Sequence, residues 1–406
     1  MNGEAEGGNE SPLNAREPKV LIVTGEASGD LHGAEVARAI RVLSPEVKLY
    51  AMGGENLRRS GAEILVEASG LAVVGITEVF GRLRPILKAL ALLKAFVRRE
   101  KPDLVLLVDY PDFNLRLARA AKKEGVPVLY YISPQVWAWR PGRIKKMAGL
   151  VGKMAVIFPF EVPLYEAAGV PAEFVGHPLM DVLEKWEAKK GADGGRKFGG
   201  GPLIALLPGS REREISSLLP EMIRAAEILK RKSPALKFLL PLASTIGREK
   251  VRKWIPEDFP DLTILEGETY EAIAAADLVV VASGTATLET ALLRKPMVIV
   301  YRVSFPSYWI GRLLIRVKCI GLANIVAGRK IAPELIQKDA SGEKIAAEAL
   351  KILSDTPYRE NMETALADIR KKLGKTGAAA RVAAIALELV RKSQGPQNLA
   401  DSATTN

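Results

Sequence analysis

Asp109-Tyr110-Pro111-Asp112-Phe113-Asn114 places two carboxylates directly after the apolar run Leu104–Val108. A carboxylate at the end of a buried strand can take the proton of an attacking hydroxyl lying within hydrogen-bond reach. A Pro turn with an N-cap aspartate describes Asp112 better than Asp109, which leaves Asp109 as the candidate general base and Asp112 as a candidate substrate contact. A second constellation, Leu207-Pro208-Gly209-Ser210-Arg211, stands between an apolar run and a helical pattern. Free backbone N–H groups, Gly209, Ser210 and the fixed cation of Arg211 suit a diphosphate. A plain surface turn has no need of arginine beside glycine and serine, and the G-x-x-x-x-G-K of a Walker loop is absent.

Ala282-Ser283-Gly284-Thr285-Ala286-Thr287-Leu288-Glu289 repeats the theme of strand end, glycine turn and helix start. Ser283 and Thr285 can donate to phosphate beside Gly284. Glu289, about one turn into the helix, can accept from both ribose hydroxyls. A capped helix start would explain the serine and threonines without a ligand. Gly25-Glu26-Ala27-Ser28-Gly29-Asp30 follows the run Val20–Thr24, and its small residues let the backbone approach a ligand closely. Gly25, Glu26, Ser28, Gly29 and Asp30 are therefore candidate substrate contacts. A tight strand–helix turn, with Asp30 capping the helix that follows, explains them as well. The loop is not G-x-G-x-x-G, so a dinucleotide reading loses its main support. His177 can stack on or bond a ligand near the domain junction, or make a structural hydrogen bond. Trp137 and Trp139 read as core or cleft wall. Two histidines leave little material for a His-rich metal site, the absence of a D-x-D pair weakens a metal-bridged diphosphate, and neither a metal nor a cofactor is expected.

One further segment has chemistry of its own. Arg82–Lys101 holds seven basic residues against the single acid Glu100. At helical spacing all but Arg82 share an arc of roughly 160°, with Ile86, Leu90, Leu93, Phe96 and Val97 opposite and Leu87 inside the basic arc. Arg84, Lys88, Lys94 and Arg98 could lie on anionic lipid. An ordinary surface helix with its apolar face in the core fits the same pattern.

The elements that must position these groups alternate. Val20–Thr24, Leu104–Val108, Val128–Ile132 and Met154–Ile157 read as buried strands, with helices at His32–Leu43, Leu115–Glu124 and Pro163–Ala168. Residues 184–202 are Lys/Gly-rich and read as a linker. The alternation then restarts with Leu203–Leu207, Phe238–Pro241, Leu262–Leu265, Leu278–Ala282 and Met297–Tyr301, and from about Gly342 the chain is helical only. The expected fold is α/β: two Rossmann-like, doubly wound domains facing each other across a cleft. The first domain spans 19–183 and the second 203–372. A terminal helix at 373–392 can pack back on the first domain, and 1–18 and 393–406 are expected to be disordered tails.

At 406 residues, 48% hydrophobic and 26% charged, the chain has the composition of a two-domain globular protein. The net charge of +11 favours an anionic partner, whether nucleic acid, phosphorylated substrate or acidic membrane. The single Cys319 excludes an internal disulfide framework and suggests a reducing compartment. Residues 1–18 lack the layout of a signal peptide, and no run of about 18 residues is free of charge, so the chain can touch a membrane but is not expected to cross it. No RNA-module signature appears, and no nucleic acid partner is expected.

Taken in order, GEASGD, DYPDFN, YISPQVWAW, FPFE, FVGHP, LLPGSR and SGTATLE resemble the lipid-A-disaccharide synthase family over roughly residues 20–390. The stretches Ala323–Arg329 and Pro333–Gln337 match that family's later signature. The resemblance implies an inverting glycosyltransferase of the two-Rossmann-domain (GT-B) type. It implies UDP-2,3-diacylglucosamine as donor and 2,3-diacylglucosamine 1-phosphate (lipid X) as acceptor. It also implies a place at the inner face of the cytoplasmic membrane, and leaves a homo-oligomer open. Asp109 takes the position of the family's essential aspartate. Arg211 and Asn324 match its other required residues, Gln337 falls within its later signature as a substrate contact, and Glu289 stands where related transferases hold ribose. A UDP-sugar 2-epimerase and a non-catalytic nucleotide- or lipid-binding protein are the rival readings. Acceptor-dependent UDP release would separate the transferase from both.

Overall fold

The computed structural model describes residues 16–68, 79–134, 142–189, 198, 201–243, 246–257, 259, 261–303 and 319–395. Trp137, Trp139 and most of both tails lie outside the described residues, as does most of 190–200. Two parallel sheets organise the rest. The first contains β1 (Lys19–Val23), β2 (Lys48–Gly53), β3 (Glu63–Glu67), β4 (Leu104–Val108), β5 (Val128–Tyr131), β6 (Lys153–Val156) and β7 (Ala172–Phe174), in the order β3-β2-β1-β4-β5-β6-β7. The second contains β8 (Leu203–Leu207), β9 (Lys237–Leu242), β10 (Leu262–Glu266), β11 (Leu278–Ala282), β12 (Met297–Tyr301) and β13 (Glu334–Ile336), in the order β10-β9-β8-β11-β12-β13. Both follow the doubly wound scheme, in which strand order reverses beside the first strand and opens a crevice at the carboxyl ends.

That reversal decides where the motifs go. β1 pairs with β4, Val23 opposite Leu107, and β8 pairs with β11, Leu207 opposite Val281. The loops after β1 and β4 are therefore neighbours, as are the loops after β8 and β11. All four candidate loops sit at the two switch points. Of the strands that carry them, β4, β8 and β11 are apolar throughout and β1 is so from Val20 on, buried because helices cover both faces of each sheet.

Periodicity missed β2, β3, β7 and β13. The last three are sheet edges and only half-buried: β7 and β13 span three residues each, and β3 has just Ile64-Leu65-Val66 between two glutamates, too little for an apolar run to stand out. The helix after β1 begins at Ala27 rather than His32, so Gly29 and Asp30 lie in its first turn. The helix Pro178–Lys189 continues through the start of the stretch read as linker, so Glu184–Lys189 are helical.

The helix Pro178–Lys189 and the return of the chain from the second domain make the junction. Asp181 accepts from the backbone N–H of Gly377 and, at 3.2 Å, of Ala378, capping the helix Ala378–Ser393. That last helix lies against Ala27–Leu43 and β4 of the first domain. Arg381 donates to the Val175 carbonyl at 2.8 Å, and the His177 N–H donates to the Leu373 carbonyl at 3.0 Å. On the other side, Trp186 donates through Nε1 to Glu271 at 2.8 Å and packs on Tyr270 at 5.7 Å between ring centroids. Tyr270 belongs to the helix that follows β10, so this contact falls on the carboxyl-end side of the second sheet.

Candidate functional site

Asp109 and Tyr110 end β4 in consecutive left-handed conformations, with φ of 46° and 49°. Each such non-glycine residue costs about 1–2 kcal/mol, so the surroundings must hold the pair. They do so from three sides. The Asp109 N–H donates to the Tyr131 carbonyl at 3.1 Å, extending the β4–β5 pairing. The Asp109 carbonyl accepts from the Tyr130 hydroxyl at 2.5 Å and from Asn114 Nδ2 at 2.6 Å. The Tyr110 ring stacks on Phe113 at 5.4 Å and covers Gly25, where a Cβ would stand 2.2 Å from the ring. Gly25 is required by close approach of Tyr110, which is how the first loop and the aspartate loop lock together.

The Asp109 carboxyl is mostly buried. Burial first, and the neighbouring Glu26 carboxylate second, push it up to about 6. A carboxyl poised just below neutral pH is ionised in most molecules yet basic enough to accept a proton. Glu26 itself is exposed, as is Ser28, at the start of the helix Ala27–Leu43. Asp30 turns away from this loop. Its carboxylate accepts from the N–H groups of Gly54 at 2.6 Å and Asn56 at 3.0 Å, capping the helix Glu55–Arg59 rather than its own. Gly29 is buried against Thr24. Asp112 lies exposed in the first turn of the helix Pro111–Lys123.

The second sheet offers a cradle. Gly209 has φ of 110°, and Ser210 and Arg211 lead into the helix Glu212–Lys232 with their side chains exposed. Beside it, Gly284 opens the helix Thr285–Leu292, and Thr285 is exposed at its first position. Ser283 departs from expectation. Its hydroxyl donates to the Ile320 carbonyl at 2.9 Å, so its proton is committed within the protein. Glu289 is half-buried, and its Oε1 accepts from the Tyr270 hydroxyl at 3.1 Å. Burial pushes the Glu289 carboxyl up while the Tyr270 bond opposes it. Burial and Glu289 together push Tyr270 up, so its phenol stays protonated and remains the donor. Sequence reasoning had no signal for Tyr270 or Trp186, because their roles exist only once the helices after β7, β10 and β11 meet.

Asn324 is not placed to touch a substrate. Its side chain is fully buried, Nδ2 donates to the Ala332 carbonyl and to Glu334 Oε1, both at 2.9 Å, and Oδ1 accepts from the N–H groups of Ile331 and Ala332. An amide has two donor hydrogens and two lone pairs, and all four are used. Glu334 in turn accepts from the N–H groups of Ile320 and Gly321. Asn324 thus positions the segment whose Ile320 carbonyl holds Ser283. Gln337 is likewise tied to the backbone of Val303, accepting at 2.8 Å and donating at 3.0 Å. His177 is buried, and its Nδ1 accepts from the Leu179 N–H at 3.1 Å. Burial holds it down to about 3, a neutral ring at the junction. Among the described residues no group of three or more metal-ligating side chains occurs.

The sheet order and loop placement can be set against known proteins. A family model described as lipid-A-disaccharide synthetase matches residues 20–388. A lipid-A-disaccharide synthase of Syntrophus aciditrophicus is 52% identical over 378 residues, covering 92% of this chain and 98% of the relative. The UDP-GlcNAc 2-epimerase from Neisseria meningitidis, solved bound to UDP-GlcNAc, superposes with a TM-score of 0.60 at 15% identity, over 92% of this chain and 100% of that one. The glycotransferase of kitacinnamycin gives a TM-score of 0.61 at 14% identity, again over 92% and 100%. At those identities the two structures speak to the fold alone, which is the two-domain architecture expected here.

Proposed function

The chain belongs to the lipid-A-disaccharide synthase family, and on that premise we propose how its residues divide the work. The reaction joins UDP-2,3-diacylglucosamine to 2,3-diacylglucosamine 1-phosphate, giving UDP and a β-1,6-linked disaccharide 1-phosphate. Asp109 takes the proton of the acceptor 6-hydroxyl as that oxygen attacks the anomeric carbon on the face opposite UDP. The sugar inverts through a transition state of oxocarbenium character. Arg211, the N–H groups of Ser210 and Arg211, and the helix start at Gly284 and Thr285 hold the charge that grows on departing UDP. Glu289, oriented by Tyr270, receives the ribose hydroxyls. The observation that carries this division is Asp109 itself: a carboxyl at the switch point, raised to about 6 and held in a strained backbone. The test is UDP release from diacylated UDP-glucosamine with and without the lipid 1-phosphate. Release that needs the acceptor is the expected outcome, and loss of donor without acceptor would favour the epimerase reading.

The acyl chains call for a lipid surface, and the helix Val79–Glu100 supports one. Leu90, Leu93, Phe96 and Val97 are buried, so one face anchors the helix in the first domain. The other shows Arg84, Lys88 and Arg98, with Lys94 half-buried and Leu87 and Leu92 exposed at 45% and 43%. Cations beside exposed leucines suit the interface of an anionic bilayer. Among the described residues no helix is long and apolar enough to cross a membrane. The segment Phe305–Val317, a second candidate for the acyl surface, lies outside the described residues. Replacing Arg84, Lys88 and Arg98 together by alanine should lower the partition coefficient onto phosphatidylglycerol vesicles, measured by co-sedimentation, by about a hundredfold, given about 1 kcal/mol per basic residue near the surface. Unchanged sedimentation would remove this helix from the membrane contact.

A further inference from the structure

The cradle read above as the diphosphate subsite already holds an anion, and the anion is the protein's own. Glu214 Oε2 accepts from the Ser210 N–H at 3.1 Å and from the Arg211 N–H at 3.3 Å. Its Oε1 lies 3.5 Å from Arg211 Nη1. The room for this carboxylate is made by Gly209: a Cβ there would stand 2.4 Å from Glu214 Oε2 and 2.8 Å from Glu214 Cβ. The glycine, the two N–H groups and the arginine assigned to the donor's diphosphate are thus the four features that Glu214 engages. A carboxylate and a phosphate oxygen make the same demands on such groups, and both cannot be met at once.

We propose that Glu214 is a displaceable occupant of the diphosphate subsite, which gives up these N–H groups and Arg211 when UDP arrives and reclaims them when UDP leaves. This rests on the reading of Gly209-Ser210-Arg211 as the place of the diphosphate. The exchange needs no large motion. Glu214 stands at the third position of the helix Glu212–Lys232, with its side chain 30% exposed and that of Arg211 65% exposed, so solvent adjoins both. Its ion pair with Arg211 joins neighbours one helical turn apart at the surface, a weak contact that a ligand readily replaces. The neighbouring Glu212 pairs instead with Lys250 and leaves the subsite to Glu214. In the free enzyme Glu214 keeps the N–H groups satisfied and the loop in its binding shape. In the UDP complex the displaced carboxylate stands beside a like-charged ligand, which weakens UDP retention and speeds product release.

The competing account is a capping box, in which an acidic residue at the third helical position serves only the helix end. Glu214→Gln separates the two, because the amide oxygen still accepts from the backbone while the negative charge is gone. Calorimetric titration of the full-length protein with UDP and with uridine, in wild type, Glu214→Gln, Glu214→Ala and Arg211→Ala, is the experiment. Glu214→Gln should bind UDP about tenfold more tightly, a change of about 1.4 kcal/mol, and uridine as wild type does. Glu214→Ala should also gain UDP affinity while melting at a lower temperature, since it loses the cap. Arg211→Ala should bind UDP more weakly. If Arg211→Ala weakens UDP but Glu214→Gln does not tighten it, or tightens uridine equally, Glu214 is a cap alone and the proposal is overturned. If Arg211→Ala leaves UDP affinity unchanged, the diphosphate reading itself falls and the proposal with it.

Discussion

The two half-sites are built on opposite principles. At the end of β4, Asp109 is mostly buried, its backbone is strained, and its carbonyl is gripped by Tyr130 and Asn114. At the end of β8, Arg211 is largely exposed and its N–H is occupied by a side chain from the helix that follows. The first half is held in one arrangement before any substrate arrives. The second is satisfied by contacts that a ligand can replace. The difference fits the tasks proposed for them: a base must hold its geometry and its proton affinity through the reaction, whereas a leaving-group cradle must fill and empty once per turnover.

The largest effect that would break this contrast is at Asp109. Replacing it by Asn keeps a residue that tolerates the left-handed backbone while removing the base. Turnover should fall by about 10²–10⁴-fold with UDP affinity retained, because losing a general base costs that much and the cradle is untouched. The same substitution should raise stability. In the folded protein Asp109 titrates near 6, above its ordinary 3.8. The folded state therefore binds more protons than the unfolded state between those values, and stability falls as pH rises through that window. Neutral Asn escapes the loss. Thermal melts should show little difference from wild type near pH 4 and a gain of about 3 kcal/mol once the pH is well above 6. A variant that loses activity without gaining stability at neutral pH would mean the aspartate is not held against its preference.

The contrast also explains which parts of the site could be read from sequence. β4, β8 and β11 are legible because strands covered on both faces are continuous apolar runs, and the residues that follow them announce the switch-point loops. Asp109, Arg211 and Glu289 could be nominated from residue type and position in those loops. What their neighbours do was out of reach. Gly25 looks like any turn glycine until Tyr110 covers it, and Asp30 looks like the cap of its own helix until Gly54 and Asn56 claim it. Asn324 carries the same uncertainty in reverse. Its motif marks it as important, yet only the packing of the segments before and after the helix Leu322–Ala327 shows an amide with no bond to spare for a ligand. Glu214 had a local signal, an acid three residues into the helix from Arg211, which reads as a cap until its overlap with the cradle is seen.

A smaller effect sharpens the comparison. Burial is the larger cause of the raised Asp109 carboxyl and the Glu26 carboxylate the second. Glu26 is exposed at the end of the loop that Tyr110 locks, so its influence passes partly through water and should be modest. Glu26→Gln removes a like charge and lowers the proton affinity of Asp109. The acid limb of kcat/KM, which reports the free enzyme's base, should then move to lower pH by roughly half a unit, as expected of a single exposed charge in a well-screened setting. The height of the plateau is not the readout, since Glu26 is also a candidate substrate contact; the position of the limb is. A limb that stays in place would leave burial as the whole cause and make the base half-site independent of the loop after β1. A limb that moves down by about two units would mean that Glu26, rather than the buried pocket at the end of β4, sets the proton affinity of the base, and the rigid half would then depend on a surface charge.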